Sequence, residues 1–373
     1  MTGMTAATRM TPPRRVLVVV TRRIGDVLLA TPVIRSLKAA WPDAAIDALA
    51  FSSTAGVLAG NPDICRIRAI PERPGLMQHI VFIGKLFKRY DLALSLVPGD
   101  RPTFYAFFAA RRTIGLLLDT PKERWKQRFL DQWVAYDLAE KHTVLTYLSL
   151  LAPIGVTPRA EVVASWGAAD QQHAEALLAP LQSQRYVVLH LYPKFNYKLW
   201  SDAGWLTLTR WIVAQNLRIV LTGGGDSDEL AYINGLAAQM ETPPLNLAGR
   251  LTLAATACVL ARAAAYAGPD TAVTHMAAAL GVPTVTFFGP TDPVKWGPWP
   301  KGYANMNQTP WRRFGDQSRG NVHLLQGRAA CAPCGKEGCA RHTASFSDCL
   351  LQLSPARVIA ALQAALSNAK NVN

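Results

Sequence analysis

The chain has 373 residues, enough for two domains of ordinary size, and half of them are hydrophobic, which excludes a wholly disordered protein. Lysine and arginine number 39 against 25 aspartates and glutamates, so the net charge is +14, and residues 1–160 alone hold 22 basic and 12 acidic residues. Such an excess suits an anionic partner, which on charge alone could be nucleic acid, a phospholipid surface or a phosphorylated substrate.

No targeting or membrane-spanning segment is recognisable in the sequence. Residues 1–14 contain no apolar run of signal-peptide length and are predicted to be a flexible N-terminus. No stretch reaches the roughly 18 apolar residues that a spanning helix needs. Six cysteines in a chain of this length are too few for a disulfide scaffold. We therefore expect a cytoplasmic protein.

Short apolar runs and amphipathic segments alternate through the first part of the chain. The pattern predicts strands at residues 15–21, 45–51, 64–70 and 91–97, and helices from Asp26 onward, at 54–59 and at 77–89. Pro32 should kink or loosen the first of these helices. Alternation at this spacing predicts an α/β domain with a parallel sheet, for which we expect the bounds 15–168.

A second alternating series follows a looser region at residues 158–170. It predicts strands at 186–191, 217–222, 265–267 and 284–288, and helices at 203–214, 252–264 and 271–280. Ser354 and Pro355 are typical of the start of a helix, which we expect to run to Leu366. The predicted second domain is 169–353, followed by a C-terminal helix and tail at 354–373.

The first candidate site follows the first predicted strand. Ligands of parallel α/β sheets bind beyond the carboxyl ends of the strands, where this sequence places Arg22, Arg23, Gly25 and Asp26. Asp26 has two interpretations, as a helix N-cap or as a carboxylate available for catalysis. The two conflict, because a helix dipole lowers the pKa of a carboxyl group and so weakens it as a base.

A second candidate is the loop Gly223–Gly225 with the acidic residues after it. It is neither a GxGxxG fingerprint nor a P-loop, but it suits a phosphate or ribose at a helix start, with Gly224 close to the ligand and Asp228 or Glu229 accepting from ribose hydroxyls. Asp226 and Asp228 also have the DxD spacing of a metal site. An N-capping cluster explains that spacing as well, and no metal is predicted.

The third candidate is the segment from Gly268 to Pro293. Small residues after Asp270 leave N–H groups free at a helix start, which suits a diphosphate. His275 is either part of this site or a buried structural histidine. Lys198, which follows another strand, either neutralises a leaving diphosphate or is a solvated lysine. The predicted donor residues here are Asp270, Thr271, Ala272, Val273 and His275.

Four cysteines near the C-terminus have the outline of a metal site. They are Cys331, Cys334, Cys339 and Cys349, with His342 among them, but their spacing is not that of paired CxxC motifs. Reduced or regulatory thiols are our preferred interpretation, and structural zinc is the alternative.

Taken together, these segments resemble glycosyltransferase family 9, the bacterial ADP-heptose:lipopolysaccharide heptosyltransferases. The sequence RRIGDVLLATPVIRSLKAAWPDAAIDALAF at 22–51 is similar to the family's N-terminal signature, and GPDTAVTHMAAALGVPTVTFFGPTDP at 268–293 to its C-terminal one. The resemblance covers roughly residues 15–365 and is nearest to the heptosyltransferase III branch. Ala272 differs from the glycine of many members.

The resemblance implies the GT-B fold, two Rossmann-like domains whose parallel sheets face a central cleft. It also implies inverting, metal-independent transfer of heptose from ADP-L-glycero-D-manno-heptose, with no cofactor. Asp26 then matches the proposed general base and Lys198 the lysine on the donor diphosphate. The turn at Asp270 and Thr271 matches the phosphate site, with His275 beside it, and Asp228 or Glu229 the ribose contact.

The implied acceptor is the phosphorylated inner core of lipopolysaccharide, met at the cytoplasmic face of the inner membrane of a Gram-negative bacterium by a monomer that binds no nucleic acid. Arg22, Arg23, Arg111 and Arg112 are the expected acceptor residues. The aromatic run 104–108 is either a buried helix face or a membrane contact. Alternatives are another sugar nucleotide or acceptor, a sugar-nucleotide epimerase or hydrolase, and a basic membrane-binding or nucleic-acid-binding module.

Overall fold

The computed structural model describes residues 11–136 and 141–370, so residues 1–10 of the predicted flexible N-terminus lie outside it. The chain divides into two compact units. The first unit comprises the described residues up to Val163 together with 304–307, and the second comprises 164–303 and the residues from 308 onward.

The first unit is built on a six-stranded sheet in which every pairing is parallel, in the order β3-β2-β1-β4-β5-β6. The four strands predicted in this part of the chain are confirmed, and two further strands complete the sheet. The strands are β1 (Arg15–Val19), β2 (Ala45–Phe51), β3 (Arg66–Ile70), β4 (Tyr90–Ser95), β5 (Ala110–Leu117) and β6 (Gln132–Ala135).

The helices of the first unit connect these strands. They are α1 (Ile24–Leu28), α2 (Thr31–Ala40), α3 (Leu76–Leu86), α4 (Asp100–Ala109) and α5 (Thr143–Leu148), with 3-10 turns at Ala55–Leu58, Arg124–Phe129 and Ser149–Ile154. The helix predicted from Asp26 is interrupted between α1 and α2, as expected from Pro32. Pro32 lies in the first turn of α2, where its missing N–H removes no helical hydrogen bond.

The second unit contains a seven-stranded sheet in the order β12-β13-β11-β10-β7-β8-β9, in which only the β12–β13 pairing is antiparallel. The four strands predicted here are confirmed, and β9, β12 and β13 are additional. The strands are β7 (Tyr186–His190), β8 (Arg218–Thr222), β9 (Leu245–Asn246), β10 (Ala265–Pro269), β11 (Thr284–Phe288), β12 (Gln317–Arg319) and β13 (Val322–Gln326).

Eight α-helices surround the second sheet in the described part of the chain. They are α6 (Ala168–Leu178), α7 (Asp202–Ala214), α8 (Ser227–Ala237), α9 (Leu253–Ala261), α10 (Ala272–Leu280), α11 (Pro293–Trp296), α12 (Asp348–Leu351) and α13 (Pro355–Lys370). Helix α13 is the predicted C-terminal helix. Its Val358, Leu362 and Ala365 are buried in the main hydrophobic core of the second unit, so the helix is part of that unit.

Without β12, the second sheet has the same strand order as the first. In each, the first strand in sequence lies in the middle, the next two lie on one side of it, and the later three lie on the other. This is the order of a doubly wound Rossmann sheet, and the place where it reverses lies between β1 and β4 in the first unit and between β7 and β10 in the second. A crevice at the carboxyl ends of these strand pairs is where such sheets bind ligands.

Candidate functional site

Asp26 lies just beyond β1, at the reversal point of the first sheet. The N-cap residue of α1 is Arg23, so Asp26 lies in the first turn of the helix and the capping interpretation is wrong. Asp26 is only 4% exposed. A carboxylate this deeply buried is stable only with polar and charged partners around it.

Two side chains provide such partners for Asp26. The Tyr147 hydroxyl donates a hydrogen bond to Asp26 Oδ1 over 3.2 Å, and Arg22 Nε lies 3.8 Å from the same oxygen. Burial and the neighbouring Asp26 charge raise the pKa of Tyr147 well above its ordinary value, so this hydroxyl remains a donor. Burial alone would lower the pKa of Arg22, but Asp26, Tyr147 and Tyr136 together outweigh burial and the pKa is raised, which keeps the guanidinium charged.

Sequence reasoning missed Tyr147. It lies in α5, 121 residues after Asp26, within an apolar run in which its buried ring looks like any other core residue. Tyr136, which hydrogen-bonds to Arg22, was missed for the same reason. A local motif cannot reveal such partners because they approach Asp26 only through the fold.

The four predicted acceptor arginines do not come together. Arg22 follows β1 with 43% of its side chain exposed, and Arg23 is also exposed next to it. Arg111 and Arg112 instead are the second and third residues of β5. Arg112 pairs with Leu92 of β4, which pairs in turn with Val16 near the start of β1. The two arginines therefore lie at the amino ends of the strands, whereas Asp26 lies beyond the carboxyl ends. The distance between these two ends, measured along the strands, is at least about 13 Å.

At the reversal point of the second sheet, Lys198 and Asp270 form an ion pair. Lys198 ends a 3-10 turn after β7, and Asp270 follows β10. Lys198 Nζ lies 2.5 Å from Asp270 Oδ2 and 3.2 Å from the Asp270 carbonyl oxygen. Only 17% of the Lys198 side chain is exposed, so the solvated-lysine interpretation is wrong. The pair is held where a donor diphosphate was predicted.

Helix α10 begins next to this pair. Thr271 is its N-cap residue, but the Thr271 side chain caps no N–H of the helix. The Thr271 side chain therefore leaves the first-turn N–H groups uncapped at the positive end of the helix dipole. Such a terminus favours a phosphate group, and Lys198 adds a positive charge beside it.

His275 also faces Asp270. Its Nε2 is 3.8 Å from Asp270 Oδ1, and the buried Nδ1 has no hydrogen-bond partner among the described residues. Burial lowers the pKa of His275 to about 4, because the effect of burial exceeds that of the Asp270 charge, so the ring is neutral at pH 7. His275 is thus buried as a structural histidine would be, yet its polar atoms are not fully paired.

A pH-dependent loss of stability is expected from the buried His190 at the end of β7. Burial lowers its folded-state pKa to about 4, from 6.5. Between pH 6.5 and 4 the histidine gains a proton only in the unfolded chain, so stability falls as the pH falls through this window. By pH 5 this histidine should lower the free energy of unfolding by about 2 kcal/mol.

Denaturant unfolding at pH 7 and pH 5 measures this effect. His190→Gln should lose about 2 kcal/mol less than the wild type between these two pH values, whereas the control His173→Gln, at an exposed histidine, should behave as the wild type does. Equal losses in all three proteins would contradict the assignment of this titration to His190.

The glycine loop after β8 is held by its own acidic residues. Asp226 is the N-cap of α8 and accepts from the N–H groups of Asp228 and Glu229, as the capping interpretation predicts. Glu229 Oε1 accepts from the Gly224 N–H over 2.7 Å, and a Cβ on Gly224 would lie 2.8 Å from Glu229 Oε2. Asp228 is exposed. The predicted ribose contact through Asp228 or Glu229 stays a prediction.

The C-terminal cysteines are all free thiols. Cys331 and Cys339 are exposed and Cys349 is buried, and burial together with the other three thiols raises the pKa of Cys349 to about 11. Within residues 11–136 and 141–370, no three or more histidine, cysteine or acidic side chains are grouped so that they could hold a metal ion. Structural zinc stays the untested alternative to reduced or regulatory thiols.

Comparison with known proteins identifies the family. The model of glycosyltransferase family 9 (heptosyltransferase) matches residues 88–319, more than half of the chain. The chain is 30% identical over 292 residues to an Escherichia coli lipopolysaccharide heptosyltransferase 3, an alignment that covers 74% of this chain and 83% of the relative. The chain therefore belongs to glycosyltransferase family 9, and it is an enzyme of the glycosyltransferase class.

Solved structures agree on the fold. The structure of the E. coli ADP-heptose lipopolysaccharide heptosyltransferase II superposes with a TM-score of 0.75 at 18% identity, covering 95% of this chain and 99% of that one. An E. coli heptosyltransferase solved with ADP gives 0.69 at 20% identity, covering 94% and 99%. These similarities support the GT-B fold predicted from the sequence. In the described part of the chain, no helix combines the length and apolarity needed to span a bilayer.

Proposed function

We propose that this enzyme transfers a heptose, with inversion, from ADP-L-glycero-D-manno-heptose to the inner core of lipopolysaccharide. The observation that carries the proposal is the position of Lys198, which pairs with Asp270 just before the first turn of α10 at the β7–β10 reversal point of the second unit. The name of the 30%-identical relative supports heptose and lipopolysaccharide. The solved relatives, an ADP-heptose heptosyltransferase and a heptosyltransferase with bound ADP, support ADP as the donor nucleotide.

The second unit holds and stabilises the leaving group. When the bond between the anomeric carbon and the diphosphate oxygen breaks, negative charge accumulates on ADP. The Lys198 ammonium and the N–H groups after Thr271 stabilise that charge in place, with no metal or cofactor. Asp270 fixes Lys198 by accepting its hydrogen bond, and Glu229 shapes the loop where the ribose binds.

The first unit activates the acceptor. Asp26 accepts the proton of the attacking hydroxyl as the oxygen bonds to the anomeric carbon, so one proton moves to Asp26 and one sugar–oxygen bond replaces the sugar–diphosphate bond. Tyr147 donates to the carboxylate and Arg22 balances its charge. The proton moves to Asp26 late in the reaction, when the bond from the acceptor oxygen to the sugar has made the hydroxyl more acidic.

We further propose that Arg22 and Arg23 contact phosphate groups of the acceptor, and that the enzyme works as a monomer at the cytoplasmic face of the inner membrane of a Gram-negative bacterium. The basic excess of residues 1–160 supports an anionic acceptor for the first unit. Arg111 and Arg112, at the other edge of the sheet, are not part of this contact.

Nucleotide binding followed by transfer tests the function. Thermal shift with ADP, UDP and GDP should show selective stabilisation by ADP, of about 2.7 kcal/mol at a hundredfold excess over Kd. Transfer from ADP-heptose to a heptose-deficient core acceptor should follow. Stabilisation by UDP alone would overturn the donor, and release of free heptose at the same rate without acceptor would favour the hydrolase alternative.

A further inference from the structure

Helix α3 of the first unit has an apolar face on each side. Phe82, Ile83 and Leu86 pack on the core around β4 and α4. On the opposite side, Leu76, Met77, Ile80 and Val81 are 80%, 71%, 56% and 47% exposed. A helix on the surface of a soluble protein normally turns polar residues to water, so this outward face needs an apolar partner.

The exposed apolar side chains of the enzyme are concentrated here. Eleven large hydrophobic side chains in the described part of the chain are more than a third exposed, and five of them belong to α3 and Phe87 just after it. Scattered exposed hydrophobics are common in any protein, whereas five within twelve residues are not. The concentration indicates one contiguous contact surface.

Basic residues predominate along α3 and the residues next to it. Between residues 73 and 90 the sequence has four basic residues and neither aspartate nor glutamate. All four are exposed: Arg73, Lys85, Lys88 and Arg89. An apolar strip with mainly cationic neighbours complements the surface of an anionic bilayer, whose headgroups meet the charges while the acyl region takes the apolar side chains.

Aromatic residues continue the surface beyond α3. Lys88 Nζ donates to the Phe107 carbonyl over 3.0 Å and lies 5.0 Å from the Phe107 ring, which packs on Phe129 at 5.1 Å. Trp125 packs on the same Phe129 at 5.8 Å and is 43% exposed. The aromatic run of α4 is thus partly buried, with Phe104, Phe107 and Phe108 of intermediate exposure. A tryptophan next to basic residues, as at Trp125, is typical of a membrane interface.

We propose that the outer face of α3, with Phe87, Trp125 and the basic residues around them, is the surface by which this enzyme docks onto an anionic phospholipid bilayer. Helix α3 would lie in the plane of the interface, with its four exposed apolar side chains inserted below the headgroups. The inference rests on the proposed membrane location of the enzyme. The Ala110 carbonyl accepts a hydrogen bond from Lys88, and Arg111 follows Ala110 in the chain. Arg111 therefore lies beside the proposed docking surface and away from Asp26.

Vesicle flotation of the full chain tests the surface. Wild-type protein should bind vesicles of phosphatidylcholine with one quarter phosphatidylglycerol at least about tenfold more strongly than phosphatidylcholine alone. The double substitution Met77→Gln with Ile80→Gln, which keeps good helix formers, should weaken binding to the anionic vesicles at least about tenfold. Lys85→Gln with Arg89→Gln should weaken it by roughly tenfold and reduce its salt dependence.

A matched control lies in the second unit. Phe314 is 64% exposed and Arg185 is exposed, so Phe314→Gln with Arg185→Gln removes one apolar and one basic side chain elsewhere and should bind as wild type does. Equal binding by the α3 variants and the wild type would overturn the proposal. So would a wild-type dimer that the Met77 and Ile80 substitutions convert to monomer, because α3 would then cover a second copy.

Activity separates this inference from the proposed function. Transfer to a deacylated, water-soluble core acceptor should be unchanged in the Met77 and Ile80 double variant, whose substitutions lie outside the reacting groups. A wild-type enzyme that binds anionic vesicles but transfers no heptose would refute the proposed function alone. An active enzyme that ignores anionic vesicles would refute the docking surface alone.

Discussion

Replacing Asp26 by asparagine is expected to lower kcat/KM for heptose transfer roughly 10³-fold, the range that a positioned general base contributes. Asparagine has the same shape and can still accept the hydrogen bond of the Tyr147 hydroxyl, so the fold should survive. ADP affinity should be unchanged, because the residues proposed to bind ADP belong to the second unit. Steady-state transfer kinetics and ADP titration together measure the two effects.

The control for Asp26→Asn is an exposed carboxylate of the same unit that lies outside the candidate site. Asp43→Asn, at an exposed position before β2, should leave both parameters at wild-type values. Tyr147→Phe should have a smaller effect than Asp26→Asn, because it removes a donor to the carboxylate and leaves the proton acceptor. Near-wild-type transfer by Asp26→Asn would show that the base is another group.

Lys198→Gln is expected to weaken ADP binding by roughly 10- to 100-fold and to lower kcat/KM by roughly 10²- to 10³-fold, since a fixed cation at a developing negative charge contributes a few kcal/mol. The structure adds a second reason. Without Lys198, the Asp270 carboxylate, 7% exposed, would lack its ion-pair partner at the place where we propose that the diphosphate binds. Calorimetric titration with ADP and transfer kinetics measure the two losses.

Lys194→Gln is the matched control, because Lys194 is an exposed lysine on the same loop. It should bind ADP as wild type does. Adding Asp270→Asn to Lys198→Gln should restore part of the stability lost by the single variant, since it removes the unpaired buried charge. Unchanged ADP affinity in Lys198→Gln would place the diphosphate elsewhere.

The strands that sequence reasoning found are those with continuous apolar runs, such as β1 and β7, because burial on both faces of a parallel sheet requires such runs. Two of the missed strands interrupt that pattern. β6 is an edge strand of only four residues with alternating exposure. β5 is buried from Ile114 to Leu117, but two arginines among its first three residues obscure the apolar run.

For the site, the sequence indicated the turns after β1, β8 and β10 and the lysine after β7, because strand ends and the reactive side chains beside them can be recognised from consecutive residues. The sequence could not decide between a structural and a functional role for these residues. Whether Asp26 caps its helix, whether Lys198 is solvated, and whether His275 is satisfied all depend on residues far away in the chain, among them Tyr147 and Asp270.

The basic residues also show what the sequence can and cannot determine. From the sequence alone, residues 1–160 are basic and Arg111 and Arg112 belong with Arg22 and Arg23. The sheet separates them, because all strands of the first unit run the same way and Arg112 starts a strand whereas Arg22 follows the end of one. The sequence by itself determined the two α/β units, the family and the chemistry-bearing turns. Only the tertiary structure decided which charged residues lie at the same end of the strands and which residues they pair with. It also showed that α3 turns an apolar face to solvent. The reason is that exposure and proximity arise from packing between segments that are distant in the chain.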